Sequence, residues 1–244
     1  MVVFLTSSPT GPLGVPNDGW LDQKNGFVDN LKKYWKADMR GLIIASSPDR
    51  YERNDEMKEF FYRAFSNSGV PVSGFDVWDH RVPEISKEAL HQYDVVMLSG
   101  GHVPTQNAYF QEISLGDMMR EYQGIVIGVS AGTMNSADVV YAQPEEPGEA
   151  VDPGYQRFLT GLGLTKIMVL PHYQMVKDSW LDGMRLMEEI TYPDSYGRTF
   201  LVLVDGSYVL IEGGKAALMG EAYEIAEGVL TQICSDGETV EIDN

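Results

Sequence analysis

The sequence predicts an α/β protein: a doubly wound, mostly parallel sheet with helices on both faces and a C-terminal antiparallel meander. Three observations carry this prediction. Short β-rich apolar runs recur along the chain, and several are apolar at consecutive positions instead of alternating, as parallel strands covered on both faces require. Helical patterns lie between these runs, and alternating strands and helices pack most economically around a parallel sheet. From Phe200 onward the helical pattern stops, and short apolar runs are separated by glycine turns instead.

In chain order, the predicted parallel strands are VVFLT (2–6), GLIIASS (41–47), VSGFDVW (72–78), DVVMLSG (94–100), GIVIGVS (124–130) and KIMVLPH (166–172). Residues 55–69 place Met57, Phe60, Phe61, Ala64 and Phe65 on one helical stripe and end at Gly69, a residue suited to a C-cap. Weaker helical patterns cover 18–35 and 114–124, and a stronger one covers 178–191. Beyond Phe200, turn signals at Asp205-Gly206 and Gly213-Gly214 predict a meander that continues to residue 242 and extends the same sheet. The Pro/Gly/Glu-rich stretch 142–154 reads as a surface loop, and no internal repeat or linker divides the chain, so residues 1–244 are expected to form one domain.

Composition narrows the function. The 244 residues are 43% hydrophobic, enough to fill a proper core. A formal charge of −18 without any Lys/Arg cluster excludes nucleic acid as a partner. One cysteine, Cys234, allows neither an internal disulfide nor a multi-thiolate metal site, which suits a reducing compartment. The apolar start MVVFLT is too short for a signal-peptide core, and no apolar run approaches membrane-spanning length. The expectation is a soluble cytoplasmic protein with no membrane contact.

The run GIVIGVSAGTMN (124–135) opens as a buried strand and closes on small residues, with Ser130 where the character changes. Gly128-x-Ser130-x-Gly132 between a strand and a helix is the pattern of a nucleophile elbow, in which glycines make room for a serine held at a tight turn. Its hydroxyl would stand at the C-terminal edge of the sheet, where open α/β folds bind ligands. The N–H of Ala131 would face the oxyanion of an attacked carbonyl. The competing structural role for Ser130 is a helix N-cap.

A serine nucleophile needs a base. Of four histidines only His172 follows the serine in sequence, and it too closes a predicted strand. His80 and His91 lack partners at metal-ligand spacing, so no metal site is expected. The acid that orients the imidazole is either one of Asp138, Glu145, Glu146, Glu149 and Asp152, or Asp205 at the end of FLVLVD. Strand-end placement favours Asp205, because it would then share one edge of the sheet with Ser130 and His172. In LSGGHVPTQN (98–107), Gly100 and Gly101 expose backbone N–H groups able to complete an oxyanion hole, with His102, Thr105, Gln106 and Asn107 placed to line a pocket.

Taken together, LSGGHVPTQN, GVSAGTMN, LPHY and LVDGSYVLIEGG, in that chain order, resemble the peptidase E and cyanophycinase group of serine peptidases. The resemblance spans most of the chain and implies a class I glutamine-amidotransferase-like fold. It also implies Ser130 as nucleophile, His172 as base, Asp205 as the acid, and an oxyanion hole from Gly100, Gly101 and Ala131. Two departures stand out: Asp205 replaces the glutamate that relatives often carry, and His102 stands where the glycine loop typically continues with asparagine. Peptidase E removes N-terminal aspartate from short peptides, so the resemblance implies a short peptide substrate and no cofactor, and leaves room for a homodimer. An acidic substrate would need a local cation, for which Arg198, Lys177, Arg185 and Arg81 are candidates. Two rivals remain at this stage. One is an α/β-hydrolase-type esterase, which the chain order Ser, His, acid disfavours; the other is a non-catalytic amidotransferase-like module that binds a small ligand.

Overall fold

A computed structural model describes every residue of the chain except Asp18. Five parallel strands form the middle of the fold: β1 (Val2–Thr6), β2 (Arg40–Ile44), β3 (Gly74–Trp78), β4 (Val95–Leu98) and β5 (Ile125–Val129). Alternate residues of a strand face opposite sides of a sheet, and here both sides are dry. Val3, Leu5, Leu42, Ile44, Val96, Leu98 and Val126 belong to one apolar cluster, whereas Phe4, Ile43, Val95, Met97, Ile125 and Ile127 belong to another. Continuous apolar runs are the consequence of this two-sided burial.

The helices α1 (Phe27–Lys32) and α2 (Tyr51–Asn67) bury Phe27, Leu31, Phe61 and Phe65 against one face. On the other, α3 (Lys87–Leu90), α4 (Val103–Glu112) and α5 (Leu115–Met119) contribute Leu90, Tyr109, Phe110, Leu115 and Met119. As expected, α2 ends before Gly69, whose φ of 76° is left-handed. The weak pattern over 18–35, whose first residue lies outside the described residues, yields a 3-10 turn at Lys24–Gly26 and α-helix only from Phe27, because Gly19, Asn25 and Gly26 take positive φ.

A short helix α6 (Ala131–Asn135) follows β5, and then the hairpin β6 (Val139–Tyr141) and β7 (Phe158–Thr160) brackets the loop 142–154. The strand β8 (Met168–Leu170) leads into α7 (Tyr173–Val176). The helix expected over 178–191 is corrected. Residues Trp180–Leu181 (β9) and Met184–Arg185 (β10) form a hairpin, and only Leu186–Thr191 coils, as a π-type turn. Asp182 and Gly183, with φ of 53° and 83°, are the two turn residues, a geometry that Asp-Gly favours and a helix forbids. The apolar spacing of Trp180, Met184 and Met187 imitated a helical stripe.

The meander after Phe200 is antiparallel as expected, but it does not stay in one sheet. β11 (Thr199–Leu203), β14 (Ala222–Ala226) and β15 (Val229–Cys234) join β8 in a smaller four-stranded sheet of order β15-β14-β11-β8. β12 (Tyr208–Glu212), β13 (Lys215–Met219) and β16 (Thr239–Ile242) extend the central sheet, whose order is β16-β13-β12-β1-β5-β4-β2-β3. β8 and β11 run parallel, with Phe200 opposite Met168. No helix among the described residues is long and apolar enough to cross a membrane.

Candidate active site

The site begins where β5 stops. Ser130 takes φ 52° and ψ −110°, a backbone conformation that costs a non-glycine residue on the order of 1–3 kcal/mol. The surroundings hold it there: its N–H donates to the Thr6 carbonyl at 3.2 Å, and Thr133 Oγ1 donates to the same oxygen at 2.7 Å. Glycine spacing has a steric cause. A Cβ on Gly128 would sit 2.8 Å from Thr133 Cα, and one on Gly132 would collide with the Leu98 carbonyl oxygen. The turn therefore closes only with hydrogen at both positions.

His172 follows β8 through Pro171 and also adopts left-handed backbone, at φ 61°. Its Nε2 lies 2.8 Å from Ser130 Oγ, and its Nδ1 lies 2.6 Å from Asp205 Oδ1. With Asp205 ionised, Nδ1 carries the proton and donates it to the carboxylate, leaving Nε2 to accept from the serine hydroxyl. The shorter reach of aspartate is no obstacle, since β11 delivers Asp205 directly to the imidazole. The alternative acids all lie elsewhere: Glu145, Glu146, Glu149 and Asp152 belong to the loop after β6, and Asp138 precedes it.

Three groups that the sequence did not single out complete the arrangement. Ser7, just beyond β1, donates from Oγ to Asp205 Oδ1 at 2.6 Å and accepts the His172 backbone N–H at 2.9 Å. Gln174 Nε2 donates to Asp205 Oδ2 at 2.5 Å, and the Leu13 N–H donates to that oxygen at 3.1 Å. Burial by itself would raise the pKa of Asp205, but the hydrogen bond and charge of His172, aided by Ser7 and Leu13, outweigh it and hold the carboxyl below its ordinary value. One signal for Ser7 existed in the sequence: it sits at the C-terminal end of a predicted parallel strand, as Ser130 does. The expectation of one shared sheet edge is corrected, because Ser130 and Ser7 come from the central sheet and His172 and Asp205 from the smaller one.

Gly100 and Gly101 lie against the serine. A Cβ on Gly100 would come within 3.4 Å of Ser130 Cβ, and one on Gly101 would strike Ser46 Oγ. The N–H groups of Gly100, Gly101 and Ala131 donate to no acceptor among the described residues. A cavity of about 270 Å³ opens beside them, lined in part by Gly101, Ser130 and His172.

The expected pocket residues are placed differently. Gln106 and Asn107 are buried structural groups: Gln106 bonds to the Ser99 carbonyl and Asn135, and Asn107 bonds to Asn135 and the Thr160 carbonyl. Thr105 is exposed and bonds His102 Nδ1, whose Nε2 meets Glu149 at 2.7 Å. None of the four lines the cavity. Glu149 also accepts the N–H groups of Glu145 and Glu146, so His102 and Glu149 latch the loop 142–154 onto α4. His102, Glu146 and Glu149 bring three ligand-type atoms within 4.8 Å of one another, but the latch already satisfies His102 and Glu149.

Three of the four candidate cations are engaged by other groups, and none of the four lines the cavity. Arg81 pairs with Asp55 and Asp79, Arg185 with Glu188, and the Arg198 guanidinium lies 4.0 Å from the Phe158 ring centroid. Lys177 is absent from the cavity lining.

A doubly wound fold that presents a serine on a strained strand-to-helix turn, hydrogen-bonded to a histidine, defines the class of serine hydrolases. The chain belongs to peptidase family S51, whose sequence model matches residues 45–219, a span that includes Ser130, His172 and Asp205. It is a serine-type peptidase. Two solved structures share its fold. One is a peptidase from an acI-B1 Actinobacterium, at 15% identity and a TM-score of 0.62, covering 99% of this chain and 96% of that one. The other, assigned as a peptidase E protein from Listeria monocytogenes EGD-e, also has 15% identity, with a TM-score of 0.59 and coverage of 96% and 98%. No curated protein sequence matches the chain.

Proposed function

We propose that the protein hydrolyses short peptides through an acyl-enzyme, with Ser130 as nucleophile, His172 as general base and acid, and Asp205 as the group that orients the imidazole. The observation that carries this reading is the continuous relay from Ser130 Oγ through His172 to Asp205, at 2.8 and 2.6 Å. In the first step Ser130 Oγ attacks the amide carbonyl while Nε2 takes its proton. The free N–H groups of Gly101 and Ala131 suit the oxyanion, and Gly100 keeps the approach clear. His172 then protonates the leaving amine, and water repeats the cycle on the ester. Asp205 stays ionised throughout and stabilises the transient imidazolium.

The imidazole beside Ser130 supports catalysis over simple ligand binding, because a base 2.8 Å from a serine hydroxyl can take its proton, a role that binding alone does not require. The test is labelling with a fluorophosphonate probe alongside turnover of a dipeptide panel and a simple ester. Labelling and peptide turnover that both disappear in Ser130→Ala are the expected result. Turnover of the ester alone would replace the peptidase by an esterase, and an unlabelled, inactive wild type would defeat the reading.

A further inference from the structure

The polar groups facing the cavity beside Ser130 are rich in acceptors and poor in donors. Its walls are apolar, from Val103, Met134, Leu170, Val176 and Leu186 with Trp180 at the rim, and no lysine or arginine lines it. Glu145 and Gln143 do line it. Glu145 Oε1 accepts the Val103 N–H at 3.0 Å, while its second oxygen has no hydrogen-bond partner among the described residues. Gln143 spends its amide N–H₂ on Thr191 at 2.6 Å and on the Met187 sulfur, which leaves its carbonyl oxygen without a donor among the described residues. Ser179, also in the lining, gives its hydroxyl proton to the Met175 carbonyl.

Such a cavity asks its ligand for positive charge and for an alkyl stem. Glu145 is exposed as a residue, yet protein packed around its carboxyl raises its pKa. Glu149 and Glu146 add to that rise, against the opposing effects of the Val103 N–H and His102. A carboxylate so poorly compensated gains from an arriving cation. An anionic side chain would meet Glu145 with no counter-charge. Arg185, on the β9–β10 hairpin, keeps its guanidinium 6.0 Å from the Trp180 ring centroid and is paired with Glu188, and neither it nor Lys177 lines the cavity.

We infer that this cavity selects peptides bearing an ammonium or guanidinium group on the residue whose carbonyl Ser130 attacks, with Glu145 as the counter-ion. The inference rests on the peptidase reading above. Ser130 and Gly101, which would hold the attacked carbonyl, themselves line the cavity, so the residue that carries that carbonyl is the one within reach. Two sources supply the cation: a Lys or Arg side chain, or the free α-amino group of an N-terminal residue. A neighbouring cavity of about 430 Å³ on the Gly100 side contains Arg53 and Glu56 but neither Ser130 nor His172.

The experiment compares kcat/KM for aminocoumarin amides of Lys, Arg, Leu and Asp, each with a free and an acetylated amino group, in wild type and Glu145→Gln. Glutamine keeps an oxygen for the Val103 N–H while removing the charge. A side-chain cation predicts Lys and Arg above Leu by about tenfold or more, the scale of one charge-assisted hydrogen bond. An α-amino cation instead predicts a similar loss on acetylation across the panel. Either preference should collapse in Glu145→Gln. Asp or Leu matching Lys with no effect of acetylation, a preference that survives Glu145→Gln, or no turnover by a protein whose Ser130 the fluorophosphonate labels would each overturn the inference and leave the serine chemistry standing. Neither labelling nor turnover would remove both.

Discussion

Ser7 and Asp205, 198 positions apart in the chain, share a 2.6 Å hydrogen bond, and the same Ser7 oxygen accepts the backbone N–H of His172. One hydroxyl thus ties the ends of β1, β8 and β11 together beneath the imidazole. Ser7→Ala should lower kcat by about tenfold with KM nearly unchanged, because the loss falls on the orientation of His172 and not on substrate contact. A parallel rise in KM would place Ser7 in the binding site instead.

Asp205→Asn should lower kcat by about 10³- to 10⁴-fold, since an amide no longer dictates which imidazole nitrogen holds the proton. The same carboxyl predicts a pH signature. Its pKa in the folded protein lies below the ordinary 3.8, so the folded state binds its proton less readily than the unfolded chain. The resulting stabilisation is complete above that ordinary value and disappears as pH falls through the lowered one. Urea unfolding followed from neutral pH to about pH 2 should show a steeper acid loss in wild type than in Asp205→Asn.

Gly132→Ala tests the steric basis of the elbow. A methyl group directed at the Leu98 carbonyl forces β4 and α6 apart and should cost about 2 kcal/mol or more in denaturant unfolding, with activity lost alongside. Gly148, around which a Cβ would meet nothing within 4 Å but whose φ is 99°, should respond more mildly.

Asp182 joins the two walls of the cavity: its carboxylate accepts the N–H of Gly148 at 2.8 Å and of Ala150 at 3.0 Å, pinning the loop 142–154 to the β9–β10 hairpin. Asp182→Ala should raise KM by about three- to tenfold with a smaller change in kcat, as steady-state kinetics on the best peptide would report.

Outside the lining of the Ser130 cavity, the carboxylate of Asp79 is fully buried and is held by a bond from Arg81 at 2.7 Å and by Asn54 at 3.1 Å. Burial alone would raise its pKa, but these partners prevail and lower it. Arg81→Met leaves the buried carboxylate with Asn54 and the backbone N–H of residue 81 but without a counter-charge, and should destabilise the fold by about 3 kcal/mol in thermal or urea unfolding.

Much of this protein is local and therefore visible in the chain itself. Paired burial wrote β1, β2, β4 and β5 as continuous apolar runs, and sterics at one tight turn wrote Gly128, Ser130 and Gly132 at their spacing. His172 and Asp205 stood out because each ends an apolar run. What no local pattern encodes is partnership across long separations: β8 and β11 leave the central sheet to pair with each other, Ser7 closes over their ends, and Glu145 turns toward the cavity. The hairpin at Trp180 to Arg185 belongs to the same category, since its apolar spacing fits a helix and only the positive φ of Asp182 and Gly183 settles the fold there. Side-chain spacing reports which face of an element is buried; which element buries it is decided by the packing of the whole chain.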